Sequence, residues 1–275
     1  MQKRFIFIFS MLAMPILGKC QTYELGIFAG ASNYQGSIAP DIVVKTSHPA
    51  FGLAFKRNMN NGYFCYSINL NYGEISGADS NNKLNKARNL SFRSPITELS
   101  AQIEFNFYQF YATGVIEPNK WTPYVYTGLS VFHFNPQAYY EGTWYNLQPL
   151  GTEGQGLLPG APKRYSLNSV AIPIGGGIKW HISPRLNIDL HCSFQGTFTD
   201  YLDDDGGVYP DVDAMRQSGH TLAAALADRS GEINNGTDIG VPGQQRGYPG
   251  HYDWYIFSGF TFSYIIQNPV CYFNF

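Results

Sequence analysis

The chain contains few charged residues for its length. Asp, Glu, Lys and Arg together make up 14% of its 275 residues, whereas soluble globular proteins carry roughly 25%. The formal net charge is −2 and no run of basic residues occurs, so the sequence does not indicate a nucleic-acid-binding protein. A water-exposed surface rich in Lys, Glu and Arg is therefore not expected.

Cysteine is also scarce. The four cysteines are Cys20, Cys65, Cys192 and Cys271, and removal of an N-terminal signal would leave three of them at scattered spacing. This spacing fits neither a disulfide framework nor a zinc site built from paired C-x-x-C motifs. A single disulfide remains an alternative, but we expect the cysteines to be buried as small apolar side chains.

Long apolar runs are missing after the N-terminus, where no stretch approaches the roughly 20 residues of a membrane-spanning helix. At the N-terminus, Lys3 and Arg4 precede an apolar run over residues 5–17. This layout predicts a signal peptide over 1–20, cleaved between Cys20 and Gln21. The alternative is a lipoprotein acylated at Cys20, which Lys19 disfavours because that processing needs a small residue before the cysteine.

Alternation of apolar and polar residues is the dominant pattern of the mature chain. Between 63 and 73, for example, Phe64, Ile68 and Tyr72 fall on one face, and Cys65 and Asn71 fall on the other. A period of two is typical of a strand with two different environments on its faces. Eight segments show it: 22–30, 49–57, 63–73, 95–107, 123–134, 168–182, 185–197 and 253–265. In the fifth segment both faces carry large and small residues, so its facing stays open.

The connections between these segments alternate in length. Long polar stretches cover 33–48, 75–93, 135–165 and 198–252, while "NMNNG", "SPR" and a moderate segment, 108–121, make the other connections. An even-stranded barrel with short periplasmic turns and long extracellular loops has this pattern.

The apolar faces could meet either lipid or a protein core. A soluble lipocalin-like barrel would carry many charges on its polar face, but here the polar faces are rich in Ser, Asn, Gly and Gln. Tyr and Trp near strand ends and the terminal Phe275 also favour lipid. We therefore predict an all-β fold over 21–275, an eight-stranded antiparallel transmembrane β-barrel in contact with outer-membrane lipids.

Eight strands enclose a lumen that side chains can fill. Charged groups in so narrow a space must be paired or hydrogen-bonded, so we predict a plugged barrel rather than a pore. The ionisable residues predicted to fill the lumen and pair there are Glu24, Lys56, Glu98, Glu104, Lys179, His181, Asp189 and His191.

Two segments resemble ligand or catalytic motifs without matching them. An EF-hand template over the acidic stretch 199–213 places Tyr201 at its first position and Val212 at its twelfth, so an acidic, solvated loop is the better expectation and an irregular ion site stays open. His133, His181 and His191 have serines near them in sequence, but no nucleophile elbow occurs. We expect no enzymatic activity, no cofactor and no metal site.

Residues 214–232 form the one convincing helical pattern. The segment lies inside the longest loop, where a helix could cap the barrel or dock a partner. Capping is the simpler expectation.

Six blocks of the chain stand out as a set, in this order: "RNLSFRSPITELSAQIEFNF", "YVYTGLSVFHFNPQA", "LQPLGTEGQG", "FTDYLDDDGGVY", "ALADRSGE" and "YDWYIFSGFTFSY". Together they resemble the PorG family of outer-membrane barrels from the type IX secretion system of Bacteroidetes. The resemblance implies a non-enzymatic protein needed for the export of cargo proteins and associated with the periplasmic ring of PorK and PorN.

A ring contact would lie on the short-turn side, where only 108–121 is long enough to offer a sizeable patch. The candidate contact residues are Phe110, Tyr111, Ile116 and Trp121. Two other functions stay open: a stand-alone structural or adhesive barrel that acts through its extracellular loops, and a lipid-modifying barrel enzyme.

Overall fold

The computed structural model describes residues 22–41, 44–59, 61–82, 85–110, 119–247 and 252–266. Ten strands and three short α-helices make up most of this part of the chain. The strands are β1 (Thr22–Gln35), β2 (His48–Asn58), β3 (Phe64–Ala78), β4 (Ser91–Asn106), β5 (Trp121–Phe134), β6 (Gln137–Tyr140), β7 (Thr143–Asn146), β8 (Asn168–Ser183), β9 (Leu186–Thr197) and β10 (Trp254–Ile266).

Eight of these strands close into an antiparallel barrel. The sheet runs β3-β2-β1-β10-β9-β8-β5-β4, and pairing between β3 and β4 joins its two ends. Strands β6 and β7 form a hairpin that leaves the wall through one pair, Arg93 with Gln137. The predicted eight-stranded barrel is therefore confirmed, and the hairpin is an addition within the predicted loop 135–165.

The side chains alternate between the outside and the lumen as predicted. On β3, Phe64, Ile68 and Tyr72 are exposed, with 37%, 52% and 53% of their surface accessible, whereas Cys65 is buried. The facing of β5, which the sequence left open, is now clear. Tyr126 and Phe132 point inward, and the side chains between them alternate accordingly.

The outer wall is a belt of exposed apolar side chains. Leu53, Ile68, Leu99, Leu129 and Phe262 are each at least half exposed, which is not compatible with a water-facing surface. Aromatic residues lie toward the ends of the belt, among them Tyr108, Trp121, Tyr264, Tyr72 and Trp254. This distribution is that of a lipid-facing barrel with interfacial aromatic girdles, so the lipocalin-like alternative is rejected. Among the described helices, none is long and apolar enough to span a membrane.

The wall rises further on the extracellular side than the sequence predicted. Strand β1 continues to Gln35, β3 continues to Ala78, and β4 begins at Ser91. The sequence pattern ended early because the outward residues there, such as Glu74 and Ser76, are polar. The upper wall thus projects beyond the apolar belt.

The long loops fold together over the extracellular mouth as a cap. Its helices are α1 (Leu147–Leu150), α2 (Val212–Gln217) and α3 (Thr221–Ala227). The single helix predicted over 214–232 is wrong, because Gly219 has a φ of +83° and separates α2 from α3. Met215 and Ala224 pack against Leu150 and Leu157, so these helices belong to the cap itself.

Below the cap, an aromatic layer fills the upper barrel. Tyr34, Phe92, Phe134, Tyr255 and Phe257 are almost completely buried. Leu202 of the longest loop inserts into the same cluster, so the cap and the barrel share one core.

Candidate functional site

The lumen is occupied by two ion pairs on its periplasmic side. Lys56 contacts Asp189, and Lys179 contacts Glu104; a third contact joins Lys56 Nζ to Glu104 Oε1 at 3.6 Å. The Tyr124 ring lies 4.3 Å from Lys179 Nζ, in cation–π geometry. Residues from β2, β4, β5, β8 and β9 thus bind one another across the barrel, which is possible because eight strands bring opposite walls within side-chain reach.

The periplasmic end of the lumen is closed by hydrogen bonds and one ring stack. Glu24 accepts hydrogen bonds from Asn58 Nδ2 at 2.6 Å and Asn187 Nδ2 at 3.0 Å. The Asn187 amide oxygen lies 2.6 Å from His181 Nδ1. The Phe110 ring then stacks on His181 with 3.8 Å between ring centroids.

Between the ion pairs and the aromatic layer, the interior is polar. Glu98 accepts hydrogen bonds from the Tyr255 hydroxyl at 2.6 Å and from Asn71 Nδ2 at 3.2 Å. A cavity of about 30 Å³ beside His191 and Gln102 has room for little more than a water molecule. The structure places all eight residues predicted for the lumen inside the barrel, and the arrangement is that of a plug.

The sequence predicted that the acidic stretch 199–213 forms a solvated loop, but the structure buries its central aspartates. Asp203, Asp204 and Asp205 are buried, with 2%, 1% and 0% of their surface accessible. The reason is long-range: Arg88 Nη1 lies 2.8 Å from Asp205 Oδ2, and Arg246 Nη1 lies 3.4 Å from Glu153 Oε1. In the described part of the chain, no group of His, Cys, Asp or Glu is arranged to hold a metal ion.

Six buried carboxyl groups form this cap network with only two arginines, Arg88 and Arg246. The acids are Asp79, Glu153, Asp203, Asp204, Asp205 and Asp253. Burial raises the pKa of Glu153 to about 7 and that of Asp204 to about 6, in spite of the nearby Arg246. Burial and the neighbouring carboxylates also raise the pKa of the half-buried Asp200 to about 8. The negative charge of the buried carboxyl groups in the cap network is therefore compensated by bound protons as well as by the two arginine side chains.

One contact within the cap network requires a bound proton. The Tyr34 hydroxyl oxygen lies 2.6 Å from Asp203 Oδ2 and 3.0 Å from Asp253 Oδ1. A hydroxyl has a single proton to donate, so two ionised carboxylates would leave one of these contacts without a hydrogen. One carboxyl group is therefore protonated. Burial and mutual repulsion raise the pKa of both Asp203 and Asp253, in agreement with this count.

The residues predicted to contact a periplasmic partner have different environments. Trp121 is 45% exposed and available, but Phe110 is 1% exposed because its ring closes the lumen against His181. The contact prediction at Phe110 is corrected on this ground. Tyr111 and Ile116 lie outside the described residues.

The three histidines considered as catalytic bases have non-serine neighbours. His133 lies 3.0 Å from Asn168 Oδ1, His181 pairs with Asn187, and the His191 ring packs against Phe28. Cys65 and Cys192 are free thiols. Sequence reasoning missed a different group, His48 with Glu74 and Ser76, because all three fall in or beside segments predicted as loops. The Glu-x-Ser spacing, which puts two polar side chains on one face, was the available signal.

Comparison with solved structures finds eight-stranded outer-membrane barrels at low identity. The chain is similar to Ail of Yersinia pestis, at 9% identity with a TM-score of 0.41, covering 90% of this chain and 99% of that one. It is similar to Neisserial surface protein A, at 8% identity with a TM-score of 0.41, covering 89% and 96%. For OprG of Pseudomonas aeruginosa the identity is 8%, the TM-score 0.39 and the coverage 90% and 96%.

No curated protein matches the sequence. The family described as "Domain of unknown function (DUF6089)" matches residues 2–149, more than half of the chain, and the protein belongs to this family.

Proposed function

We propose that the protein is an outer-membrane barrel subunit of the type IX secretion system and that it associates with the periplasmic PorK and PorN ring. The observation that carries the proposal is the series of ordered sequence blocks, between 88 and 264, that resemble the PorG family. The lipid-facing belt supports an outer-membrane location. The contribution to secretion is then one of binding and anchoring, since the ion pairs between Lys56, Lys179 and their partners plug the lumen.

The ring contact belongs to the periplasmic end of the barrel. There, Trp121 packs edge-on against Tyr108 with 5.6 Å between ring centroids, and both rings are nearly half exposed. Exposed aromatic pairs of this kind are common anchors of protein interfaces. Tyr111 and Ile116, in the same turn, stay candidates for the contact.

Gene deletion tests the proposal at the level of the cell. We expect type IX cargo to accumulate inside the deletion strain and to be secreted again when the wild-type gene is restored. Intact secretion of cargo by the deletion strain would refute the proposal.

Site-specific cross-linking tests the contact. A photo-reactive residue at position 121 should capture PorK or PorN, while the matched position 144, an exposed tryptophan on the extracellular hairpin, should capture neither. Capture from 144 with none from 121 would place the partner on the wrong side of the membrane for this proposal.

A stand-alone adhesive barrel is the second candidate, and the cap surface favours it. Ile233, Ile239 and Val241 are 51%, 43% and 59% exposed on the extracellular side, where such side chains are available for contact with other proteins. Normal cargo secretion after deletion, together with capture of partners from position 241, would favour this candidate over the first.

A further inference from the structure

A serine, a histidine and a glutamate meet on the outer wall of the barrel, just above the apolar belt. His48 Nε2 lies 2.7 Å from Ser76 Oγ, and His48 Nδ1 lies 3.4 Å from Glu74 Oε1. We call Glu74, His48 and Ser76 the rim triad. Each side chain is partly exposed, and His48 and Glu74 both have 31% of their side-chain surface accessible.

The two contacts of His48 determine how its ring works. An ionised carboxylate can only accept a hydrogen bond, so the nitrogen facing Glu74 carries the proton. The other nitrogen, Nε2, is then free to accept the Ser76 hydroxyl proton. The order acid, base and nucleophile is that of a catalytic triad, which is recognised by geometry and not by position in the sequence. Contacts of 3.4 Å are common before substrate binds.

The backbone around the rim triad is held from inside the barrel. The buried Ser32 hydroxyl lies 2.6 Å from the Glu74 carbonyl oxygen and 3.3 Å from the His48 carbonyl oxygen. The single hydroxyl proton is donated to the nearer acceptor, the Glu74 carbonyl oxygen, so a side chain on β1 fixes the backbone at the acid.

An arginine stands on the neighbouring strand but turns away from the nucleophile. Arg93 on β4 is the direct cross-strand partner of Ser76. The Arg93 guanidinium stacks on the Trp144 ring at 3.7 Å, and its Nε donates a hydrogen bond to Gln137 Oε1 at 3.0 Å. These contacts hold the guanidinium over β6 and β7, on the side of β4 opposite to β3 and Ser76.

The surroundings indicate what kind of molecule reaches this site. Tyr72, one outward position below Glu74, belongs to the apolar belt. On the same wall, a groove of about 410 Å³ is lined by Leu70, Leu99, Val131 and Val170. A lipid of the outer leaflet that rests on the apolar belt therefore places its polar part at the height of the rim triad.

We propose that the rim triad hydrolyses an ester bond of an outer-leaflet lipid, with Ser76 as nucleophile, His48 as general base and acid, and Glu74 as the group that orients His48. This activity is separate from the proposed role in secretion, and it departs from the sequence-based expectation of no enzymatic activity.

The reaction has two steps. Ser76 Oγ bonds to the ester carbonyl carbon while its proton passes to His48 Nε2, and the carbonyl oxygen becomes negative. The carbon–oxygen bond of the ester breaks, and the alcohol leaves with the proton from His48. A water molecule then attacks the acylated serine, gives one proton to His48 and releases the carboxylic acid, after which the proton returns to Ser76.

Ester turnover and active-site labelling test the proposal. We would purify the full chain in detergent, measure hydrolysis of p-nitrophenyl octanoate, and label the protein with a fluorophosphonate followed by peptide mass spectrometry. The label should appear on Ser76, and S76A should lower turnover by up to about 10⁶-fold, the scale of nucleophile knockouts in catalytic triads. H48Q should abolish labelling, and E74Q should lower turnover by about ten- to a hundredfold.

The matched control is S258A, which removes an outward serine of β10 far from the rim triad and should leave turnover unchanged. Heat-modifiable mobility on gels verifies that each variant is a folded barrel, and labelling of the wild type alone decides the case if S76A fails to fold. Vesicles containing either lipid A or phosphatidylethanolamine distinguish the two lipid sources. Absence of Ser76 labelling, or equal turnover in the wild type and folded S76A, would overturn the proposal.

Discussion

The lumen and the cap both bury many carboxyl groups, but they compensate for them differently. On the periplasmic side of the lumen, Lys56 faces Asp189 and Lys179 faces Glu104, so each of these two carboxylates has an ammonium partner, while Glu24 and Glu98 accept hydrogen bonds from neutral side chains. In the cap network, six buried carboxyl groups share two arginines, and the Tyr34 contact requires a bound proton.

The difference follows from the position of each region. Strands that face each other across a narrow barrel bring Lys56 against Asp189 and Lys179 against Glu104, while the cap is assembled from loops at the boundary with water. Two regions with many buried carboxyl groups thus differ in behaviour: ion pairs stabilise the plug, whereas the stability of the cap depends on pH.

Removal of one ammonium group should have the largest effect. K179M leaves Glu104 with only the longer contact to Lys56, and an uncompensated buried charge typically costs about 3–5 kcal/mol. We expect a loss of that size in urea-induced unfolding of the barrel in vesicles. The double variant K179M/E104Q should recover most of it. Failure of the second substitution to recover stability would mean that packing, not charge, holds this layer.

A charged side chain on the lipid-facing surface of the barrel should lower the free energy of unfolding less than the loss of Lys179, because a long side chain can reach toward the membrane surface. I68K puts an ammonium group on the lipid face, with an expected cost of about 2–4 kcal/mol. N71K is the matched variant, since its ammonium group would enter the lumen beside Glu98, which already binds Asn71. Assembly yield into vesicles measures both. Equal tolerance at the two positions would mean that the assigned facing of β3 is wrong.

The cap network should loosen as pH rises. The pKa of Glu153 is raised to about 7 and that of Asp204 to about 6, so both acids favour the closed cap in their protonated forms. Their stabilisation is complete below the ordinary carboxyl pKa, about 4, and is lost as pH rises through the raised values. Hydrogen exchange at residues 202–205, corrected for intrinsic rates, should increase by up to about tenfold per pH unit between pH 5 and 7.

Two variants sharpen this prediction. E153Q removes one of the two acids whose raised pKa sets the pH response and should flatten it. D213N is the control, because Asp213 has 82% of its side-chain surface exposed and pairs only with Arg216 in the described contacts. Protection that does not change with pH in the wild type would show that cations alone stabilise the cap.

The smallest effect is expected at the junction of α2 and α3. Gly219 has a φ of +83° and no atom within 4 Å of the place where a side chain would begin, so G219A is strained by its backbone alone. We expect a cost of about 1 kcal/mol, seen as faster exchange in 215–224 with no change in the barrel strands. A larger loss would indicate that the bend between the helices is coupled to the cap network.

The sequence predicted the barrel well for a physical reason. A wall with lipid outside and a polar lumen inside imposes a period of two on every strand, and this period is visible in single segments such as 63–73 and 95–107. The pattern left the facing of β5 open, because Tyr124, Tyr126 and Phe132 fill the lumen there and smaller side chains lie outside. Volume, not polarity, decides the facing there.

The sites could not be predicted in the same way. The acidic stretch is buried because Arg88, 117 residues before Asp205 in the chain, reaches it across the cap. The rim triad combines His48 with two residues of β3 about 28 positions away, in segments that the pattern assigned to loops. Neither of these long-range contacts is visible in the spacing of neighbouring residues along the sequence.

Strand number and the division into lipid and lumen faces were determined by the amino-acid sequence itself, because each depends on periodic or local chemistry. Burial of the acidic loop, the break between α2 and α3, the pairing of the lumen charges and the meeting of Glu74, His48 and Ser76 were decided only by the tertiary structure. Closure of the barrel and folding of the loops over its mouth bring together residues far apart in the chain, and their distances set the chemistry that each group can perform.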